Sequence, residues 1–256
     1  MLKHRVSLLL LVSPLLAIAQ DRDFAPLERS WTASLTGGFA DTFQLVLGGT
    51  YGDGPDFQNR LTVGLNDALR KGDSLSVFGW STTDMPKATP NWQAGVLYKT
   101  SVVKRKMHAL SVTGGVQRWL LPMIKTGAID WMVTGNATFS TSIKGVPLFV
   151  SGDSYSLLKS TLPTGTGVYS QIYTHHKLWK GEGLELSLRH GPAYSYSWGF
   201  YGAQGNRVFR YNGALLLTSR AFNVEVGYRQ QVGLQDPIPS NRYWYCLVTR
   251  QITKPL

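Results

Sequence analysis

Residues 222–231, Phe-Asn-Val-Glu-Val-Gly-Tyr-Arg-Gln-Gln, change character almost at every step. Phe222, Val224, Val226 and Tyr228 fall on one face of an extended chain, and Asn223, Glu225, Arg229 and Gln231 on the other. Side chains alternate across a β-strand, so this stretch predicts a strand with one apolar and one polar face. The same period recurs outward from it. Trp131, Val133, Ala137 and Phe139 oppose Thr134, Asn136, Thr138 and Ser140; Trp92, Ala94, Val96 and Tyr98 oppose Asn91, Gln93 and Lys99. Phe57, Leu61, Val63 and Leu65 oppose Gln58, Arg60, Thr62 and Asn66, and Phe43, Leu45, Leu47 and Tyr51 oppose Thr42, Gln44 and Thr50. About twelve such segments begin near residues 42, 57, 74, 91, 108, 129, 146, 167, 184, 206, 222 and 243, and a 3.6-residue period is nearly absent.

The segments run for roughly nine to thirteen residues, longer than the ~5–6 of a soluble strand and long enough to cross a bilayer when tilted. Their connections alternate. Asp67–Asp73, Val102–Lys106, Ile143–Gly145, Lys180–Gly183 and Ser219–Ala221 are tight. Thr82–Pro90, Leu120–Gly127, Ser156–Gly165, Gly199–Gly205 and Gly233–Arg242 are longer, and Gly52–Asp56 is the one short member of that set. Short turns on one side and long loops on the other are the wiring of a transmembrane barrel. Aromatic residues bracket the long connections: Tyr51 with Phe57, Trp80 with Trp92, Trp119 with Trp131, Trp198 with Phe209, Tyr228 with Tyr243. At the opposite rim stand Phe43, Tyr98, Phe139, Trp179 and Phe222. Amphipathic rings favour the membrane–water boundary, so two such girdles are expected of a barrel.

Composition agrees. Charged residues make up 16% of the chain, well under the roughly 25% of soluble domains. The aromatic content excludes a disordered chain, the single Cys246 a disulfide scaffold, and the lack of a long apolar run a polytopic helical protein. The N-terminus reads as a signal peptide: basic Lys3, His4 and Arg5, apolar Val6–Leu16, then Ala17-Ile18-Ala19 for cleavage. The expected organisation is a leader over 1–19, a periplasmic lead-in or extra strand over 20–41, and a barrel over 42–256. The chain is expected to be exported to the envelope of a Gram-negative bacterium.

These features together resemble a bacterial outer-membrane β-barrel, as a pattern over nearly the whole mature chain rather than a family motif. The fold class expected is all-β, a single antiparallel transmembrane barrel of about twelve strands, ten to fourteen being compatible with the pattern. The size is similar to that of small oligosaccharide and acidic-sugar porins and of the outer-membrane phospholipase. The resemblance implies outer-membrane lipids and the barrel-assembly machinery as partners. Such barrels end in an alternating aromatic strand with a terminal Phe; here Tyr243, Tyr245, Leu247 and Thr249 alternate, but the chain runs on through Ile252–Leu256.

The polar phase carries Arg60, Lys99, Arg189, Arg210 and Arg229 against Asp153, Glu185 and Glu225. As pore-lining groups they would attract anions, so passive transport of small anionic or polar solutes is the function expected, and Arg210→Glu should shift selectivity toward cations. The competing reading is a non-conducting structural or binding barrel, knitted by Glu185–Arg189 and Glu225–Arg229 pairs, with Phe78, Leu97 and Tyr173 narrowing the interior. A soluble secreted β-sandwich is a further alternative.

Enzymatic chemistry finds little support along the chain. No His stands two residues from a Ser; Thr174 and His176 are the nearest approach to a same-face hydroxyl and imidazole on one strand. Asp153, Glu185 and Glu225 lack any ordering motif for glycoside cleavage, and His175 and His176 point to opposite faces, which disfavours a metal site. No catalytic residue, metal ligand or cofactor is therefore expected, and His176→Ala and His190→Ala are expected to leave acyl-ester turnover at background. Basic residues are scattered among turns (Arg70, Lys71, Lys104, Arg105, Lys106, Lys144, Lys180, Arg220), which suits anionic headgroups rather than nucleic acid. Loop length places residues 104–106 in the periplasm and 156–165 outside the cell. Epitope tags at the two sites check this: only the second should be labelled on intact cells.

Overall fold

The computed structural model describes residues 27–40, 56–84, 89–105, 107–120, 129–160, 163–235 and 240–256. They form twelve strands: β1 (Ser30–Ala40), β2 (Asp56–Asn66), β3 (Ser74–Asp84), β4 (Thr89–Lys104), β5 (Ala109–Leu120), β6 (Ile129–Ile143), β7 (Val146–Lys159), β8 (Thr166–Gly181), β9 (Leu184–Phe200), β10 (Ala203–Ser219), β11 (Phe222–Gly233) and β12 (Asn241–Pro255). Each strand pairs antiparallel with its chain neighbours, and β1 pairs with β12, which closes the barrel. Among the described residues no helix is long and apolar enough to cross a membrane.

The polarity of this barrel is inverted relative to a soluble one. Leu35, Leu61, Val77, Val96, Ile172, Leu215, Val226 and Val248 are exposed on the outer wall. Gln93, Gln117, Ser195 and Gln231 are buried inside. An apolar exterior around a polar interior suits a wall solvated by acyl chains, where closure leaves no open edge to satisfy.

The first strand is where the sequence reading is amended. Trp31–Gly38, read as a lead-in or extra strand, lies within β1 and pairs on both sides, Phe39 with Phe57 of β2 and with Cys246 of β12. The segment expected to begin near Thr42 lies among residues 41–55, outside the described residues, as do the leader and Tyr51. The total of twelve and its even parity stand. The C-terminal run is explained by the same pairing: Ile252, Thr253 and Lys254 continue β12 against Ala33, Thr32 and Trp31.

Turn chemistry sets the register. Lys144 and Gly145 both take positive φ (48° and 82°), the backbone twist that a two-residue hairpin needs. Tyr201 (φ 51°) and Gly202 (φ 80°) do the same between β9 and β10, so Gly199–Gly205, expected as a longer loop, is a tight turn capping two long strands. The Tyr201 hydroxyl donates to Asp130 Oδ2 at 2.7 Å, which ties this turn to β6; burial, with Asp130 as acceptor, raises the phenol above its ordinary pKa. The β2–β3 turn is folded around Asp73, whose carboxylate accepts from the Arg70 N–H (3.0 Å), the Leu69 N–H (3.2 Å) and the Tyr98 hydroxyl (2.7 Å).

Closure leaves little room at Gly38. Its φ is +146°, and a Cβ there would lie 2.1 Å from the Cys246 carbonyl oxygen of β12. Gly38→Val should therefore block the β1–β12 seam, seen as loss of the compact, heat-modifiable band of folded barrel on electrophoresis.

Candidate functional site

All eight charged residues assigned to the interior from alternation lie in the inward phase of their strands. The register shows how they are grouped. Arg210 of β10 stands opposite Gln231 of β11 and donates through Nε to its Oε1 at 2.8 Å. Arg210 is 0% and Gln231 1% exposed, so neither lines a water-filled space. Arg60 of β2 packs over the Phe78 ring, 4.8 Å from its centroid, and lies within electrostatic reach of Tyr155 on β7, nearly opposite in the barrel. Asp153 of β7 accepts from Asn136 Nδ2 of β6 at 2.8 Å.

The expected Glu185–Arg189 pair is re-partnered. Arg189 of β9 pairs with Glu225 of β11, not Glu185, reaching over the small Ala214 of the strand between them. Glu225 also accepts from the Tyr245 hydroxyl at 2.6 Å, and Arg229 lies over the Tyr245 ring at 4.3 Å. Glu185 pairs with Lys177 of β8 at 2.9 Å. The reason is spacing: residues four apart on one strand stand roughly 13 Å apart, whereas cross-strand neighbours approach to about 5 Å. Lys99 keeps the inward phase but is exposed, at the end of the barrel where the short turns lie.

Large side chains fill the other end. Trp119, Met132, Leu157 and Phe200 form a water-excluded cluster, all at 4% exposure or less, with Tyr155 and Tyr201 packed against it. Tyr245 packs with Ala40 and Ala214 in a second cluster, and Asn212 donates to the Tyr169 hydroxyl at 3.2 Å.

Three residues expected at the membrane interface therefore face inward. Trp119 is buried and donates through Nε1 to Gln117 Oε1 at 3.0 Å. Trp80 donates to Gln58 Oε1 at 3.1 Å, and Tyr243 is buried. In each case the pleat decides: Trp80 shares the phase of Phe78, Trp119 that of Gln117, and Tyr243 that of Tyr245. Trp92, Trp131 and Trp179 are exposed outward as expected; Phe57, Trp198 and Tyr228 share the outward phase. At the C-terminus Trp244, not the Tyr243–Tyr245 set, meets the lipid. Lys177, Tyr169 and Tyr245 were not among the sequence candidates, although their phase marked them as inward.

Comparison with known proteins places this geometry. No protein-family model matches the chain, and no curated protein does. Among solved structures, a membrane-protein chain from work on in-meso crystallisation superposes with a TM-score of 0.52 at 9% identity, covering 88% of this chain and 83% of its own. The fold is that of bacterial outer-membrane β-barrels. LpxR from Salmonella typhimurium (TM-score 0.48, 10% identity, 87% of this chain and 99% of its own) is also similar. So is the translocator domain of the autotransporter NalP from Neisseria meningitidis (0.48, 8%, 94% and 93%). The apolar outer wall of the described residues suits a lipid environment.

The burial of Arg210 revises the effect expected of its substitution. Arg210→Glu removes the cation from Gln231 and buries a carboxylate without a counter-charge, a change costing about 3–5 kcal/mol. Urea unfolding in micelles should show this loss of stability rather than a folded barrel with altered ion selectivity.

Proposed function

We propose that this outer-membrane barrel is closed and non-conducting, and that it acts as a structural or binding barrel rather than as an anion channel. The observation that supports this is the exposure of its interior. Residues lining an aqueous pore are bathed by its water, as porin interiors are. Here Met132 and Phe200 are 0% exposed, and Arg210, Gln231, Tyr245 and Phe78 are buried alongside them. Three of the positive groups that alternation assigns to the interior are paired or stacked on neighbours: Arg189 with Glu225, Arg60 on Phe78, Arg229 on Tyr245. An anion crossing the barrel would have to displace packed side chains that exclude water from one end of the lumen.

Charge in a sealed interior has a structural use. Cross-strand pairs fix the register of β8 to β12 and hold the circumference against slippage. At the other end Lys177, His175 and Glu185 border a cavity of about 590 Å³.

Planar-bilayer recording tests the reading. The purified barrel should give no stable conductance steps, and a Trp119→Gly/Met132→Gly/Leu157→Gly/Phe200→Gly variant that still folds should give them. Steady anion-selective steps from the unmodified protein would overturn the closed reading in favour of transport of small anionic solutes.

A further inference from the structure

The apolar outer wall carries a hydrogen-bonded polar cluster on β8, β9 and β10. The register places Thr174 of β8 opposite His190 of β9, both in the outward phase with Ile172 and Leu215, which are 48% and 47% exposed. Thr174 Oγ1 lies 3.3 Å from His190 Nε2 and 3.1 Å from His176 Nε2. The two imidazoles stack with centroids 5.3 Å apart and planes 7° from parallel. His190 Nδ1 lies 2.7 Å from the Tyr211 hydroxyl of β10. One assignment of protons satisfies the whole chain: His176 Nε2–H donates to Thr174, the Thr174 O–H donates to His190 Nε2, and His190 Nδ1–H donates to Tyr211 Oη. Polar groups turned toward acyl chains are costly, and function is the default reading of such a set.

A second observation lies beside it. The β7–β8 pairing runs from Ser156–Thr166 down to Leu148–Thr174, while β8 continues to Gly181 against β9. Pro147, which has no N–H to give a ladder, stands where the two strands part. The cavity of about 590 Å³ described above opens at this parting, lined by Gly145, Pro147, His175, His176, Lys177 and Glu185. It brings water and polar groups from the turn-bearing rim through the wall to His176, next to Thr174.

We propose that Thr174, His190 and Tyr211 form a lipid-facing acyl-transfer site, served by the β7–β8 crevice, whose substrate is an acyl ester of the surrounding phospholipid. Thr174 is the nucleophile, His190 the general base and Tyr211 the positioning residue for the imidazole; His176 holds the threonine hydroxyl from its other side. Thr174 Oγ bonds to the ester carbonyl carbon as its proton moves to His190 Nε2, and the carbonyl electron pair moves onto oxygen. Collapse breaks the bond to the alcohol oxygen, which leaves with the proton from His190. Water from the crevice, deprotonated by His190, then attacks the acyl-threonine, restores the hydroxyl and releases the fatty acid. Spacing along one strand pairs Thr174 only with His176; the β8–β9 register adds the base that such spacing omits.

The test uses the full barrel in mixed micelles with a long-chain p-nitrophenyl ester, then in phosphatidylethanolamine–phosphatidylglycerol vesicles with fatty-acid release as readout. Turnover should fall at least 100-fold in Thr174→Ala and in His190→Ala, which reverses the background turnover expected from spacing along single strands, and persist in Thr174→Ser. Tyr211→Phe should lower kcat about tenfold with KM unchanged, since it moves the base and not the lipid contact. Heat-modifiable migration confirms that each variant is folded. A fluorophosphonate probe on the unmodified protein should label Thr174, as mapped by mass spectrometry. Absence of turnover in the unmodified protein, equal turnover in Thr174→Ala, or labelling at another residue would overturn the proposal.

Discussion

A bilayer interior offers no hydrogen bonds, so every backbone N–H and C=O that crosses it must be answered by another strand. In this protein that requirement falls hardest on the seam between β1 and β12, where the two ends of the chain meet in register from Ser30–Pro255 to Phe39–Cys246. The rest of the architecture depends on that seam. It turns a meander of hairpins into a closed wall, makes the last residues of the chain structural, and requires a residue without a side chain at Gly38. It also explains the inverted polarity, because a closed wall in lipid has its solvent-compatible groups only inside.

What happens inside a twelve-stranded wall is a separate question of volume. The interior is wide enough to hold water and narrow enough to be filled by large side chains. Arg210 is buried against Gln231, Arg189 pairs with Glu225 and Arg60 lies over the Phe78 ring, and the cluster of Trp119, Met132, Leu157 and Phe200 packs together at one end. Burying guanidinium groups is tolerable only with partners, and the partners come from neighbouring or next-neighbouring strands: Gln231 for Arg210, Glu225 for Arg189. The interior therefore fixes the register of the strands that supply it.

The outer wall follows the opposite logic. Lipid asks only for apolar surface, so the Thr174–His176–His190–Tyr211 network is not needed for solvation of the barrel. Its internal hydrogen bonding lowers the cost of placing it there. The parting of β7 from β8 beside it breaks the ladder in the same sector of the wall, so the polar cluster and the crevice adjoin.

Alternation along single strands was enough to determine the class of fold, eleven of the twelve strands, the inward phase of Arg60, Lys99, Asp153, Glu185, Arg189, Arg210, Glu225 and Arg229, and the opposite facing of His175 and His176. Period two is a local property, set by backbone pleat, and it survives in the sequence undisturbed. It also held the facts about Trp80, Trp119 and Tyr243, whose inward phase is readable from Phe78, Gln117 and Tyr245; proximity to a loop is a weaker guide than pleat parity. Only the tertiary structure decided who meets whom. Register between strands carries no signature within either strand. The exchange of Glu185 for Glu225 as the partner of Arg189, the approach of His190 to Thr174, the place of Ser30–Ala40 as the closing strand and the clustering of Trp119, Met132, Leu157 and Phe200 all depended on how neighbouring strands slide into alignment, which is settled by the packing of the whole wall.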